Sequence, residues 1–424
     1  MKTTRRAALK GATAAGLATF AIPSIARAAA GSVVVIGAGF GGATTARYLK
    51  AASPALDVTL VERDATILTC PFSNGVIAGY NTMSDITRNL DGVRAAGVKI
   101  VAGEAAAVDT AARSVRLADG TQLGYDRLVV SPGIELNYAG VPGYSEAAAA
   151  RMPHAWKAGA QTVLLRQQLE GMADGGTFIV APPGNPFRCP PGPYERISLV
   201  ASYFKASKPK SKILVLDAKD AFSKQGLFQA AWEQEFPGMI TWIAGKDGGK
   251  VESVDPAAMT VKAGFGLEKG AVVNVIPPQR AGAIAQAAGL TGDNGWCPVD
   301  PLTFASAKAA NVHVVGDASV AGAMPKSGSS ANAQAKVAAA AIVASLAGKE
   351  PGAPALMNIC YSLVTPDYGI STTDVYQASK DKGIVPTPNA GGLSVRTPTA
   401  MGERKLEAAY ARGWYRNICA DTWG

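Results

Sequence analysis

Histidine is nearly missing from this chain: its 424 residues contain only His154 and His313. Two scattered imidazoles cannot build a histidine-rich zinc site, and they leave little scope for a Ser-His-Asp triad. The five cysteines, Cys70, Cys189, Cys297, Cys360 and Cys419, show no C-x-x-C pair and no metal-like spacing, so no metal is expected. C-x-x-C-H is absent as well, so the chain attaches no c-type haem of its own. Beyond residue 28 no stretch reaches the roughly 20 apolar residues of a membrane span, and no integral membrane contact is expected. Residues 1–28 hold no acid but carry Lys2, Arg5, Arg6, Lys10 and Arg27. Without them the formal charge of +9 falls to about +4, too mild to argue for a nucleic-acid partner.

What is present points to an exported α/β protein. A hydrophobic content of 48% over this length supports two or three domains with real cores. Arg5-Arg6 precede an apolar run from Gly11 to about Ile25, followed by Ala26-Arg27-Ala28 at cleavage spacing. This resembles a twin-arginine signal, with an ordinary secretory signal as the alternative. The expected mature protein is periplasmic, where disulfides persist.

After the leader comes Ser32-Val33-Val34-Val35-Ile36, then Gly37-Ala38-Gly39-Phe40-Gly41-Gly42 and a helix-forming run. Strand, G-x-G-x-x-G and helix form a dinucleotide turn: Gly37, Gly39 and Gly42 permit the tight bend, close phosphate approach and helix packing. The strand Val58–Val61 ends at Glu62, followed by Arg63. A carboxylate at that point can accept from ribose hydroxyls. Two distant pieces fit the same cofactor. Residues 126–133 read as a strand running into Ser131-Pro132-Gly133, and residues 311–317 as a strand ending in Gly316-Asp317. An alanine-rich helix from about Ala331 to Leu346 would aim its N-terminus at an electron-rich ring edge. In this order the pieces resemble the two-dinucleotide-fold flavoproteins, which implies FAD.

A second strand, Thr177–Val180, should feed a second glycine-rich turn. Instead, residues 181–189 read Ala-Pro-Pro-Gly-Asn-Pro-Phe-Arg-Cys. Proline offers no N–H to a pyrophosphate. No NAD(P) site is expected here, so electrons must come from something small.

Three segments sharpen the resemblance: Thr69-Cys70-Pro71, residues 188–196 (Arg-Cys-Pro-Pro-Gly-Pro-Tyr-Glu-Arg) and Asn358-Ile359-Cys360-Tyr361-Ser362. With Glu62 they resemble the flavoprotein subunit of flavocytochrome c sulfide dehydrogenase, over essentially the whole chain. The resemblance implies FAD bound covalently through its 8α-methyl to Cys70 and a redox-active Cys189–Cys360 disulfide beside the flavin. It also implies a c-type cytochrome partner. Hydrosulfide is a small anionic nucleophile able to attack a disulfide. Glu195 can handle protons for it, or else pair with Arg196. A purely structural staple between the two cysteines would contribute roughly 5 kcal/mol. Cys297 and Cys419 are left over, either paired with each other or, as favoured here, buried and reduced.

The expected fold class is α/β. Residues 29–145 and 276–348 form an FAD domain, 146–275 a second Rossmann-like domain without a working NAD site, and 349–424 a C-terminal α+β interface domain. In that last domain prolines punctuate short segments from about Glu350 to Met401. A helix from Glu403 to Ile418 would dock through Leu406, Tyr410, Trp414 and Ile418, with Trp414 walling the flavin. This region is also a sensible landing surface for the cytochrome. The leading function is FAD-dependent oxidation of hydrosulfide with a c-type cytochrome as acceptor. The alternatives are a sulfide:quinone reductase and a non-catalytic FAD protein that binds sulfur or relays electrons.

Overall fold

The valine-rich run at residues 32–36 becomes the strand Ser32–Ile36, central in a five-stranded parallel sheet. The structure is a computed structural model that describes residues 30–395 and 402–424. The expected export leader lies outside the described residues. In space the strands run Val312–Val314, Arg127–Val130, Ser32–Ile36, Asp57–Glu62 and Lys99–Ala102, all parallel. Strand order reverses between Ser32–Ile36 and Arg127–Val130, and such a crevice at the carboxyl ends of the strands is where open α/β sheets bind ligands. Helix Phe40–Ala52 packs on helix Gly328–Leu346. Small residues allow the close approach: Gly41, Gly42 and Ala43 on one, Ala331, Ala335 and Ala338 on the other, all buried.

A second parallel sheet has the order Ile240–Ile243, Lys212–Leu216, Thr177–Ala181 and Val272–Val275. Its helix Gly192–Ser207 carries Ile197, Val200, Ala201 and Phe204, none more than 1% exposed, into its own core cluster. Burying each of the larger side chains contributes roughly 1.5–3 kcal/mol. Two domains of Rossmann type plus a C-terminal α+β unit match the expected fold class.

That last unit departs from expectation in two places. The region of short proline-punctuated segments is three long antiparallel strands, Leu356–Thr365, Tyr368–Ser379 and Gly383–Leu393. Pro386 and Pro388 sit in the last of these, an edge strand, where a missing N–H breaks no obligatory ladder bond. The second departure is the docking face of helix Gly402–Trp423. Leu406 and Tyr410 are 55% and 58% exposed, whereas Ala408, Ala411, Tyr415, Ile418, Cys419 and Trp423 are buried. The helix backbone at Glu407–Ala408 lies so close to Gly369 that a Cβ there would sit 2.4 Å from the Ala408 nitrogen, and this close approach turns the Ala408 face, not the Leu406 face, inward. The start of the alanine-rich helix also moves, to Gly328, because the Ser327 hydroxyl accepts from the Ser330 N–H as an N-cap.

Candidate functional site

The glycine turn closes against its neighbours. Gly37 has φ +93, and a Cβ there would lie 2.4 Å from the Ser131 carbonyl oxygen. At Gly42 a Cβ would lie 1.8 Å from the Gly37 oxygen. Gly39 caps helix Phe40–Ala52 with nothing within 4 Å of its missing Cβ, leaving an open approach to the helix N-terminus. Glu62 accepts from the Ala38 N–H at 2.7 Å, fixing the turn from the second strand. Ser131 donates its N–H to Ile36, and Gly133, with φ +64, accepts from the Gly282 N–H. Arg63, the next residue, is exposed and paired with Asp64 and Glu104. Successive side chains at a strand end point to opposite sides, so Glu62 and Arg63 part company.

Gly316, at φ +80, donates its N–H to Gln334. The neighbouring Asp317 has one buried carboxylate oxygen with no hydrogen-bond partner among the described residues. Its other oxygen lies 3.8 Å from Arg188, and burial pushes its carboxyl up despite that cation. Lys326 donates to the Asp317 and Ser319 carbonyls and lies over Trp296; burial lowers its ammonium to about 8.

A cavity of about 400 Å³ opens beside this cradle. Its wall brings together Cys70, Cys189, Cys360, Glu195, Trp414 and Ser327–Ser329 at the helix N-terminus. Cys70 sits on the turn before helix Ser73–Ala78, with its sulfur 3.7 Å from the Trp156 carbonyl oxygen. Cys189 adopts the left-handed region at φ +56, and its N–H donates to Lys326 at 2.7 Å. The proline run explains itself here. Pro193 lies in the first turn of helix Gly192–Ser207, where an N–H would have no intrahelical partner. At Gly192 a Cβ would lie 3.0 Å from the Cys189 sulfur and 2.8 Å from Trp156, so only glycine lets the helix start this close. All five cysteines are free, and the expected Cys189–Cys360 bond is not formed in this structure. Cys297 and Cys419 are both buried thiols.

Glu195 is held by two donors, Asn74 at 2.8 Å and the Leu363 N–H at 2.9 Å. Burial raises its carboxyl despite them. Its expected alternative partner, Arg196, turns away. The Arg196 guanidinium is 1% exposed and donates to Asn74, Asn274 and the His154 and Ala155 carbonyls. Burial lowers it to about 9, still mostly cationic at neutral pH. Burial also raises both thiols, Cys189 well above its usual range and Cys360 too; Lys224 opposes this at both, and at Cys360 through a direct contact as well.

The second nucleotide-type sheet carries its own acid at the end of its second strand, Asp217, the counterpart of Glu62. Asp217 is fully buried. Its carboxylate accepts from the Tyr194 hydroxyl, from Trp242 at 3.0 Å and from Lys219 at 2.6 Å. Tyr194 stacks on Phe222 at 3.7 Å, and Lys219 reaches the Pro183 carbonyl of the proline turn. Side chains of the chain itself fill this crevice.

Residues that sequence reasoning missed are Lys224, Arg196 as a buried cation, Asn74, Trp156 and Asn358. Lys224 donates to the Cys360 carbonyl at 2.9 Å from 136 positions away. No local pattern marks it. Among the described residues no group of three or more His, Cys, Asp and Glu could hold a metal ion.

The donors and spaces fit an FAD. Asp317 offers an unpartnered acceptor to a hydroxyl, the Gly39 turn an open helix N-terminus, and the cavity room for a ring beside Cys70.

Three family models match the chain. Residues 31–167 match "Pyridine nucleotide-disulphide oxidoreductase". Residues 162–277 match "Sulfide dehydrogenase [flavocytochrome c] flavoprotein chain, central", and residues 352–423 match "Flavocytochrome c sulphide dehydrogenase, flavin-binding". The sulfide dehydrogenase flavoprotein chain of Chlorobaculum thiosulfatiphilum is 59% identical over 44 residues, 10% of this chain and 92% of that sequence. Mouse mitochondrial sulfide:quinone oxidoreductase is 23% identical over 307 residues, covering 67% of this chain and 65% of its own length. In fold, the sulfide:quinone oxidoreductase of Aquifex aeolicus superposes with a TM-score of 0.72 at 16% identity, covering 92% of both chains. The chain thus belongs to the family of the flavoprotein chain of flavocytochrome c sulfide dehydrogenase.

Proposed function

We propose that this chain oxidises hydrosulfide to sulfane sulfur through a Cys189–Cys360 disulfide, with FAD attached at Cys70 and a c-type cytochrome as electron acceptor. The observation that carries the reading is the meeting of Cys189 and Cys360, remote in sequence, on one cavity wall with Cys70 and the Ser327–Ser329 helix start. In the oxidised form, hydrosulfide attacks one sulfur and displaces the other as thiolate. Arg196 and Lys224 supply buried positive charge that favours an incoming anion. Glu195, with its carboxyl raised toward neutrality, takes or returns the proton, oriented by Asn74 and the Leu363 N–H. Bound FAD supplies a two-electron acceptor able to pass electrons on singly. Trp414 and Tyr361, with ring centroids 6.3 Å apart, wall the cavity toward the C-terminal helix.

The cysteine-rich site and the leader together favour action outside the cytoplasm after twin-arginine export. The test is anaerobic: sulfide is added to the purified flavoprotein, and cytochrome c and decylquinone are offered as acceptors. Reduction of cytochrome c, lost in C189S, supports the proposal; unchanged activity in C189S overturns it. A quinone acceptor is the second reading, favoured by the fold shared with the Aquifex and mouse enzymes. Among the described residues no helix is long and apolar enough to cross a membrane. Preference for decylquinone would establish that second reading.

A further inference from the structure

We infer that the Lys224 ammonium makes Cys360 the charge-bearing sulfur of the pair, so that hydrosulfide attacks Cys189 and expels Cys360 as thiolate. The inference deepens the proposed function and rests on it.

Lys224 is 6% exposed. Its ammonium has three hydrogens and finds three acceptors: the Ser362 hydroxyl at 2.8 Å, the Cys360 carbonyl at 2.9 Å and the Cys360 sulfur at 3.7 Å. Neither oxygen carries a charge, and the acid that feels Lys224, Glu195, makes no ion pair with it among the described residues. A buried ammonium without a contacting counter-ion is costly, and a thiolate on Cys360 is the anion placed to supply one in direct contact. Lys224 also holds φ +62, a left-handed conformation costing roughly 1–2 kcal/mol outside glycine. Such strain persists where surroundings over-determine it, and it concentrates at functional sites. Here the Lys224 carbonyl accepts from Leu227 and Phe228, starting helix Gln225–Glu235 while the side chain turns toward strand Leu356–Thr365.

Cys189 feels Lys224 only at a distance, against Glu195 and Cys70, and no donor to its sulfur is found among the described residues. The other charged groups facing Cys360 are acids, Glu195 from helix Gly192–Ser207 and Asp374 from the adjacent strand, and both oppose a thiolate. Lys224 is therefore the group that tips the balance. Both residues also line a second cavity of about 290 Å³, so a small nucleophile has a way in to either side of the pair.

In the step itself a bond forms between the incoming sulfur and the Cys189 sulfur. The bond between Cys189 and Cys360 breaks, and its electron pair stays on Cys360. The proton of hydrosulfide remains on the terminal sulfur of a Cys189 persulfide. The incoming sulfur is thereby oxidised to the sulfane level and the disulfide reduced. A thiol with stabilised charge is the better leaving group.

The test is site-resolved alkylation. The reduced full-length flavoprotein is treated with iodoacetamide from pH 6 to 10, and the Cys189 and Cys360 peptides are quantified by mass. Cys360 should react at least about tenfold faster than Cys189 at pH 7, a one-unit separation in thiol pKa. K224M should slow Cys360 about tenfold and shift its pH profile upward, with a smaller effect on Cys189, which feels Lys224 without touching it, and K224R should restore the rate. A second arm exposes oxidised wild-type protein briefly to hydrosulfide and maps the added sulfur, expected on Cys189. Faster labelling of Cys189, or sulfur found on Cys360, overturns the inference even if K224M fails to fold. If labelling follows the expected order but C189S and C360S oxidise sulfide normally, the proposed function falls and the Lys224–Cys360 contact stands.

Discussion

The two nucleotide-type domains share a sheet order and an acid at the end of the second strand, yet only the first keeps its crevice open. In the first, Glu62 ties the glycine turn through one backbone N–H, and Gly39 leaves free space beside the helix start. In the second, Asp217 is saturated by Tyr194, Trp242 and Lys219, and the turn is built of proline. A crevice filled from within no longer needs a flexible, donor-rich turn. The freed loop can be stiffened and used to hold Cys189 at φ +56 beside the first domain's cavity. One fold thus serves as a cofactor cradle and, in its second copy, as the mount for Cys189, the sulfur proposed to react.

The largest test of that division removes the mounted sulfur. C189S and C360S should each cut sulfide-dependent turnover by about 100-fold or more while leaving FAD content unchanged, read from the visible spectrum and steady-state rates. Loss of flavin in either variant would break the comparison, since it would tie the second domain to cofactor retention.

E195Q sharpens the same boundary. Burial raises the Glu195 carboxyl, so the fraction ionised falls as pH drops through a value above the usual carboxylate range near 4.3. Wild-type kcat/KM should therefore decline on acidification at a higher pH than an exposed glutamate allows. E195Q should lower the neutral rate by about 100-fold and abolish that limb. An unaltered acid limb in E195Q would assign the titration elsewhere.

Matched glycine substitutions compare the two turns directly. G42A drives a Cβ into the Gly37 oxygen, and overpacking of this kind typically costs about 1–3 kcal/mol. G184A, in the proline turn, has nothing within 4 Å of its new Cβ and should stay within about 0.5 kcal/mol of wild type in urea melts. Y194F strips a donor from buried Asp217 and should cost about 1–3 kcal/mol, as much as G42A. Adding NADH should recover none of that stability if the second crevice is committed to its own side chains.

Much of this was legible from local pattern. The strands Ser32–Ile36, Asp57–Glu62 and Thr177–Ala181 and the G-x-G-x-x-G turn announce themselves through apolar runs, spacing and glycine. The buried stripe of helix Gly402–Trp423 was misread because Leu406 and Tyr410 look like core. The helix backbone packs directly on Gly369, which sets its rotation and buries Ala408 and Ala411 instead. The long C-terminal strands were hidden by prolines that an edge position tolerates.

The sequence by itself determined the α/β class, the first dinucleotide turn and the loss of the second, because glycine, proline and apolar periodicity act over a few residues of backbone. Its resemblance to the family also picked out the cysteines proposed to react. Only the tertiary structure decided that Lys224 faces Cys360, that Arg196 turns from Glu195 toward Asn74 and Asn274, and that Asp217 is plugged by Tyr194. Several of these contacts join residues far apart in the chain, and all depend on side-chain directions that exist only once the sheets and helices have packed.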